Sequence, residues 1–144
     1  MIGFGTIGAG VAKILSENSE IIQKRLGAKV ELVKVADLDI TTDRGIKLAP
    51  NVLTTSAEEV INHPDITVLI ELMGGYELAR KFLLQAIEQG KHVVTANKAL
   101  LAKHGDELFS AVAEKGLSIG YEASIGGAIP IIRSVREAFV ANNI

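Results

Sequence analysis

Apolar residues along this chain switch repeatedly between helical spacing and short continuous runs. Ile7, Val11, Ile14 and Leu15 recur at the three- and four-residue intervals of a helix that starts at Thr6. Ser16 to Lys24 extends that helix, and Gly27 ends it. Lys29 to Ala36 (KVELVKVA) predicts a strand, with Val30 and Leu32 on one face and Val33 and Val35 on the other, so both faces are expected to be buried. Leu38 to Thr55 is polar and irregular, with Gly45 and Pro50 as breakers.

Ser56 followed by Glu59 fits a capping box for a short helix through Ile61. Thr67 to Met73 (TVLIELM) is apolar except at Thr67 and Glu71, the pattern of a central parallel strand. Gly74-Gly75 ends it, and Glu77 to Glu88 follows as an amphipathic helix closed at Gly90. Lys91 to Thr95 predicts a strand, and Ala99 to Lys115 a helix broken at Gly105. Leu117 to Glu122 predicts a further strand, and Ala123 to Ala128 a Gly-rich loop. Pro130 suits the first turn of a last helix reaching about Phe139.

Strands alternating with helices at these intervals predict one α/β domain over residues 1–144: a Rossmann-type, doubly wound parallel sheet. Only Met1 and Ile2 precede Gly3, so the first strand is expected to be truncated or very short. Ligands of such sheets bind outside the carboxyl ends of the strands. Gly3–Gly8, Asp37, Gly74-Gly75, Thr95–Lys98 and Ala123–Gly127 all follow predicted strand ends, so they are expected to converge on one edge.

Gly3-Phe4-Gly5-Thr6-Ile7-Gly8 is a GxGxxG run opening a helix. In a dinucleotide site its glycines allow a tight turn, close approach to the pyrophosphate and close helix packing, with the anion at the helix N-terminus. The same turn also serves purely structural ends. Composition narrows the classes. A hydrophobic content of 48% suits a packed α/β core, and a net charge of −2 gives no basic footprint for nucleic acid. No apolar run approaches the length of a membrane span, and the absence of cysteine suits the reducing cytoplasm.

Asp37 stands where a carboxylate accepts hydrogen bonds from an adenosine ribose, although it lies 29 residues after Gly8 rather than roughly 20. The Ser16–Gly27 segment absorbs the difference. Leu38, not arginine, comes next, which favours NAD while leaving NADP open through Arg44 or Lys47. Asn97 is a candidate N-cap, placing Lys98 in the first turn of a helix, where a cation opposes the helix dipole. A ligand anion or a substrate carbonyl facing Lys98 offsets that cost, and a solvent-directed lysine is the plain alternative. In Tyr121–Pro130 the glycine pair allows carbonyls to face a cation or N–H groups an anion, or simply makes a turn. Glu71 is a charge inside an apolar strand, which requires a partner or an exposed end. His63, His92 and His104 have no metal-ligand spacing.

Together, GFGTIGAGV, VTANKALLA and YEASIGGAIPIIR resemble homoserine dehydrogenase, specifically its N-terminal NAD(P)-binding domain, over essentially the whole chain. The resemblance implies an oxidoreductase that interconverts L-homoserine and L-aspartate 4-semialdehyde with NAD(P)(H), toward threonine, methionine and isoleucine. It implies that Gly3, Phe4, Gly5, Thr6, Ile7 and Gly8 line the pyrophosphate with Asp37 and Gly74 nearby. It also implies that Lys98 is catalytic beside the nicotinamide, and that Glu122, Ile125, Gly127 and Ile129 form a sodium site. The full-length protein is expected to be a homodimer or homotetramer.

In the family, the substrate-binding carboxylates and the proton-transfer lysine come later, in a substrate and dimerisation region absent from this chain. Weak dinucleotide binding at most, and negligible turnover, are therefore expected of the 144 residues alone. An NAD(H)-sensing module and another semialdehyde oxidoreductase are the alternatives. VTANKALLA and YEASIGGAIP weigh against a sensor, which needs no nicotinamide-side lysine.

Overall fold

A computed structural model describes residues 1–142. The chain opens with α1 (Thr6–Glu17) and α2 (Ser19–Leu26), then runs through β1 (Val35–Ala36), β2 (Leu53–Thr54) and α3 (Ala57–Ile61). There follow β3 (Val68–Glu71), α4 (Glu77–Glu88), β4 (His92–Thr95), α5 (Lys98–Glu114) and β5 (Ile119–Gly120). A 3-10 turn at Glu122–Ser124 leads to α6 (Ile131–Arg133), which runs on as a π-helical segment over Ser134–Ala138.

All strand pairs are parallel: β1 with β2, β3 with β4, and β4 with β5. Ile2 joins the two groups by bridging to Ala36 on one side and Glu71 on the other. The Ile2 N–H donates to the Ile70 carbonyl and the Leu72 N–H to the Ile2 carbonyl, both at 2.8 Å. On the opposite edge, the Gly3 N–H reaches the Ala36 carbonyl at 2.8 Å, and the Ala36 N–H reaches Met1 at 2.9 Å. The lateral order is therefore β2, β1, Met1–Gly3, β3, β4, β5. This is the doubly wound arrangement expected from the alternating pattern, with a first strand only about three residues long.

The main departure from the sequence pattern lies at Lys29–Ala36. Lys29–Ala36 was expected to form one strand buried on both faces. Only Val35 and Ala36 pair and are fully buried, while Lys29, Val30 and Glu31 are exposed. Met1 meets the end of this segment, its nitrogen donating to the Lys34 carbonyl at 2.7 Å and its carbonyl accepting the Ala36 N–H at 2.9 Å. Among the described residues no strand pairs with 29–33, and a groove of about 550 Å³ separates them from 65–70.

Smaller corrections follow local geometry. The first helix is two helices, broken at Asn18 (φ −105°, ψ 16°), with Gly27 left-handed at its end (φ 75°). The Leu38–Thr55 stretch holds a strand, β2, that its polarity hid. The break in α5 falls at His104 (φ −132°, ψ 15°), one residue before Gly105. The Leu117–Glu122 strand shrinks to two residues, and Pro130 stands just before α6 rather than inside it.

Leu69, Leu83, Ile87, Val93, Leu100 and Leu108 form the main core beneath α3, α4 and α5. A smaller cluster of Met1, Phe4, Ala12 and Val35 packs under α1. Among the described residues, no helix is long and apolar enough to cross a membrane.

Candidate functional site

Gly3 and Gly8 are fixed by contact. A Cβ on Gly8 would lie 2.2 Å from the Gly3 carbonyl oxygen, and one on Gly3 (φ +96°) would lie 2.5 Å from that of Leu72. Gly5 differs: a Cβ there would meet nothing within 4 Å. Gly5 is the N-cap of α1, and no side chain caps it. The first-turn amides of α1 therefore lack both an intrahelical partner and a side-chain acceptor, and they open beside a glycine. That geometry suits an anion.

Asp37 stands at the end of β1, where its Oδ2 accepts the Phe4 N–H at 2.5 Å and its Oδ1 the Asp39 N–H at 2.9 Å. The carboxylate thus ties the glycine turn to the neighbouring strand end. Gly3, Gly5, Asp37, Leu38, Met73 and Gly74 border one cleft of about 590 Å³. The Leu38 side chain is 93% exposed. Arg44, a candidate phosphate clamp, is paired to Asp39 at 3.0 Å.

A second, smaller cleft of about 300 Å³ opens beside the first turn of α1. Ile7, Glu71, Met73, Ala96, Asn97 and Lys98 line it. Asn97 is the N-cap of α5, as its position predicts, and its Oδ1 accepts the Leu100 N–H at 3.1 Å. Lys98 is the first residue of that helix and is exposed. The structure therefore brings Gly3–Gly8, Asp37, Gly74 and Lys98 to one sheet edge.

The residues between these clefts were underread. Glu71 is fully buried at the end of β3, and its partners are not cations. Its Oε1 accepts the Met73 N–H at 2.7 Å and its Oε2 the Thr95 hydroxyl at 2.5 Å. Burial pushes its carboxyl above the usual carboxylate range, against the pull of those two bonds. Thr95 and Ser124 carried no signal as single residues. Glu71 did, as the one charge in an apolar run.

Glu122, Ile125, Gly127 and Ile129 lie on the turn between β5 and α6. The Glu122 carboxylate accepts the N–H groups of Ile132 (2.8 Å) and Arg133 (3.2 Å), capping the last helix. Its carbonyl takes the N–H groups of Ile125 and Gly126, and the Ile129 carbonyl takes that of Ile131.

The residues around the glycine turn do fit a dinucleotide: an uncapped helix start, an open approach at Gly5, and a carboxylate at the next strand end. The family model for the homoserine dehydrogenase NAD-binding domain matches residues 3–122. This chain belongs to that family. It is 42% identical to homoserine dehydrogenase of Pseudomonas aeruginosa over 142 residues, covering 99% of this chain and 32% of that protein. It is 40% identical to that of Bacillus subtilis over 144 residues, covering 100% and 33%.

A homoserine dehydrogenase crystal structure from Thiobacillus denitrificans superposes with a TM-score of 0.90 at 42% identity, covering 98% of this chain and 32% of that one. A hyperthermophilic archaeal homoserine dehydrogenase in complex with NADPH gives 0.77 at 25% identity, covering 99% and 49%. The chain thus spans about one third of the length of the curated homoserine dehydrogenases it matches.

Proposed function

We propose that this chain is the cofactor-binding part of an enzyme that interconverts L-homoserine and L-aspartate 4-semialdehyde with NAD(P)(H), in the synthesis of threonine, methionine and isoleucine. The observation that carries this reading is the convergence of the uncapped α1 start, Asp37 and Lys98 on one sheet edge. The sequence identity to homoserine dehydrogenases along essentially the whole chain supports it.

When bound, the dinucleotide supplies the hydride chemistry. The backbone of Gly3, Phe4, Gly5, Thr6, Ile7 and Gly8 would hold the pyrophosphate, and the free Asp37 lone pairs would take the ribose hydroxyls. Gly74 would border the cofactor midway, where its lack of a side chain keeps the cleft open. Lys98 would face the substrate oxygen and stabilise the negative charge that develops there. An anionic neighbour also offsets the cost of a cation in the first turn of α5. In this reading, the substrate-binding groups and the contacts of a homodimer or homotetramer lie outside this stretch of sequence, and the whole protein works in the cytoplasm.

NAD(H) is the favoured cofactor. The Asp37 carboxylate would repel a ribose 2′-phosphate, Leu38 brings no charge to offset it, and Arg44 is held by Asp39. Tighter binding of NADPH than NADH would reverse this preference.

The test is Lys98→Ala in the full-length protein. Turnover should fall on the order of 100-fold, the effect of removing one charge-stabilising donor. Unchanged turnover and cofactor affinity would remove Lys98 from the mechanism. Robust semialdehyde reduction by the 144 residues alone would show that the substrate groups lie within them.

A further inference from the structure

Glu71 and Thr95 belong to a buried network that joins three strand ends. The Thr95 hydroxyl donates to Glu71 and accepts the Asn97 N–H at 3.0 Å. The Thr95 carbonyl accepts the hydroxyl of buried Ser124 at 2.8 Å. The Asn97 Nδ2 donates to the Gly75 carbonyl at 2.6 Å while its Oδ1 caps α5. With Glu71 also holding the Met73 N–H, the loops after β3, β4 and β5 form one piece.

We propose that Glu71 and Thr95 are positioning residues for the nicotinamide end of the site, acting through Asn97 to fix Lys98 and the Gly74-Gly75 turn relative to each other. The proposal rests on the cofactor reading above. Asn97 sets where α5 begins, and Lys98 follows it directly, so a shift at Thr95 moves the start of the helix. The glycine turn has a different anchor, Asp37 on Phe4. The two halves of the cleft are thus held by separate sets of side-chain hydrogen bonds, and loosening one set should leave the other in place.

A core leucine at position 71 would avoid desolvating a carboxyl, but would leave the Met73 N–H and the Thr95 hydroxyl without their acceptor. Glutamine keeps an acceptor there, so Glu71→Gln is the conservative rescue. Thr95→Ser keeps the hydroxyl and Thr95→Val removes it.

The experiment titrates the full-length protein and its variants with NADH and, separately, with ADP-ribose, which lacks the nicotinamide. Backbone amide shifts and reduced-nicotinamide fluorescence follow binding. Thr95→Val and Glu71→Leu should weaken NADH about five- to tenfold and leave ADP-ribose within about twofold, while Thr95→Ser and Glu71→Gln stay within about twofold for both. Equal weakening of the two ligands, which general loss of structure produces, would overturn the proposal, and so would no effect on either. A wild-type chain that binds ADP-ribose with no added signal from NADH would overturn it while sparing the cofactor reading. Binding of neither ligand would overturn both.

Discussion

The Asp37 carboxylate accepts the Phe4 amide at 2.5 Å across 33 residues of sequence, fastening the glycine turn to the neighbouring strand end. One side chain thereby shapes the glycine turn and presents a carboxylate to the cleft beside it. Asp37→Ala removes the acceptor of both the Phe4 and Asp39 amides. Urea unfolding should show a loss of about 1–3 kcal/mol. Asp37→Asn, which keeps one acceptor, should lose less stability, yet both variants should weaken NADH.

The three glycines of the turn separate folding from binding. Gly8→Ala drives a methyl group into the Gly3 carbonyl, which is backbone and cannot move aside. It should cost roughly 3 kcal/mol and lower the thermal midpoint by several degrees. Gly5→Ala meets open space, so its midpoint should change little while dinucleotide affinity falls. Equal midpoints for the two variants would contradict the packing described for Gly8.

Burial holds the Glu71 carboxyl above its ordinary value of 4.5. The unfolded chain therefore releases this proton first as pH rises, and the folded state binds more protons from about 4.5 up to the raised value. Wild-type stability attributable to this group falls as pH rises through that window. Glu71→Gln does not titrate, so its stability relative to wild type should grow with pH above 4.5 and then level off. Urea unfolding at a series of pH values reads the difference, and parallel profiles would argue against a raised value.

Ser56 caps α3, its Oγ accepting the Glu59 N–H at 3.3 Å. Ser56→Ala should cost about 1 kcal/mol. The box is only half formed, because Glu59 turns to the Thr54 hydroxyl and the Lys34 ammonium. Glu59→Gln should therefore change stability less than Ser56→Ala does.

The elements with long, regular patterns were legible in the sequence. α4 runs over Glu77–Glu88 as its apolar spacing predicts, and Asn97 and Ser56 cap the helices their side chains suit. Lys29–Lys34 misled because its apolar alternation is a strand pattern, while pairing depends on a neighbour that local pattern does not reveal. β2 was hidden because two residues in a polar stretch carry no periodicity. For the site, the glycine turn and Asp37 could be read from type and position. The Glu71–Thr95–Asn97 network could not, since its members lie up to 26 residues apart and meet only when β3 and β4 align. In the Glu122 loop, the Glu122 carboxylate caps the last helix, a role that its position in the sequence did not reveal.

The most direct test of the central claim is an amide-resolved titration of the full-length protein with NADH, which registers even weak binding. Shifts at Phe4–Gly8, at Asp37 and Leu38, and at Gly74 are the predicted result, with smaller changes at Asn97 and Lys98. Saturating NADH and NADPH that leave those amides unmoved, or that shift residues 29–34 and 65–68 instead, would contradict the account.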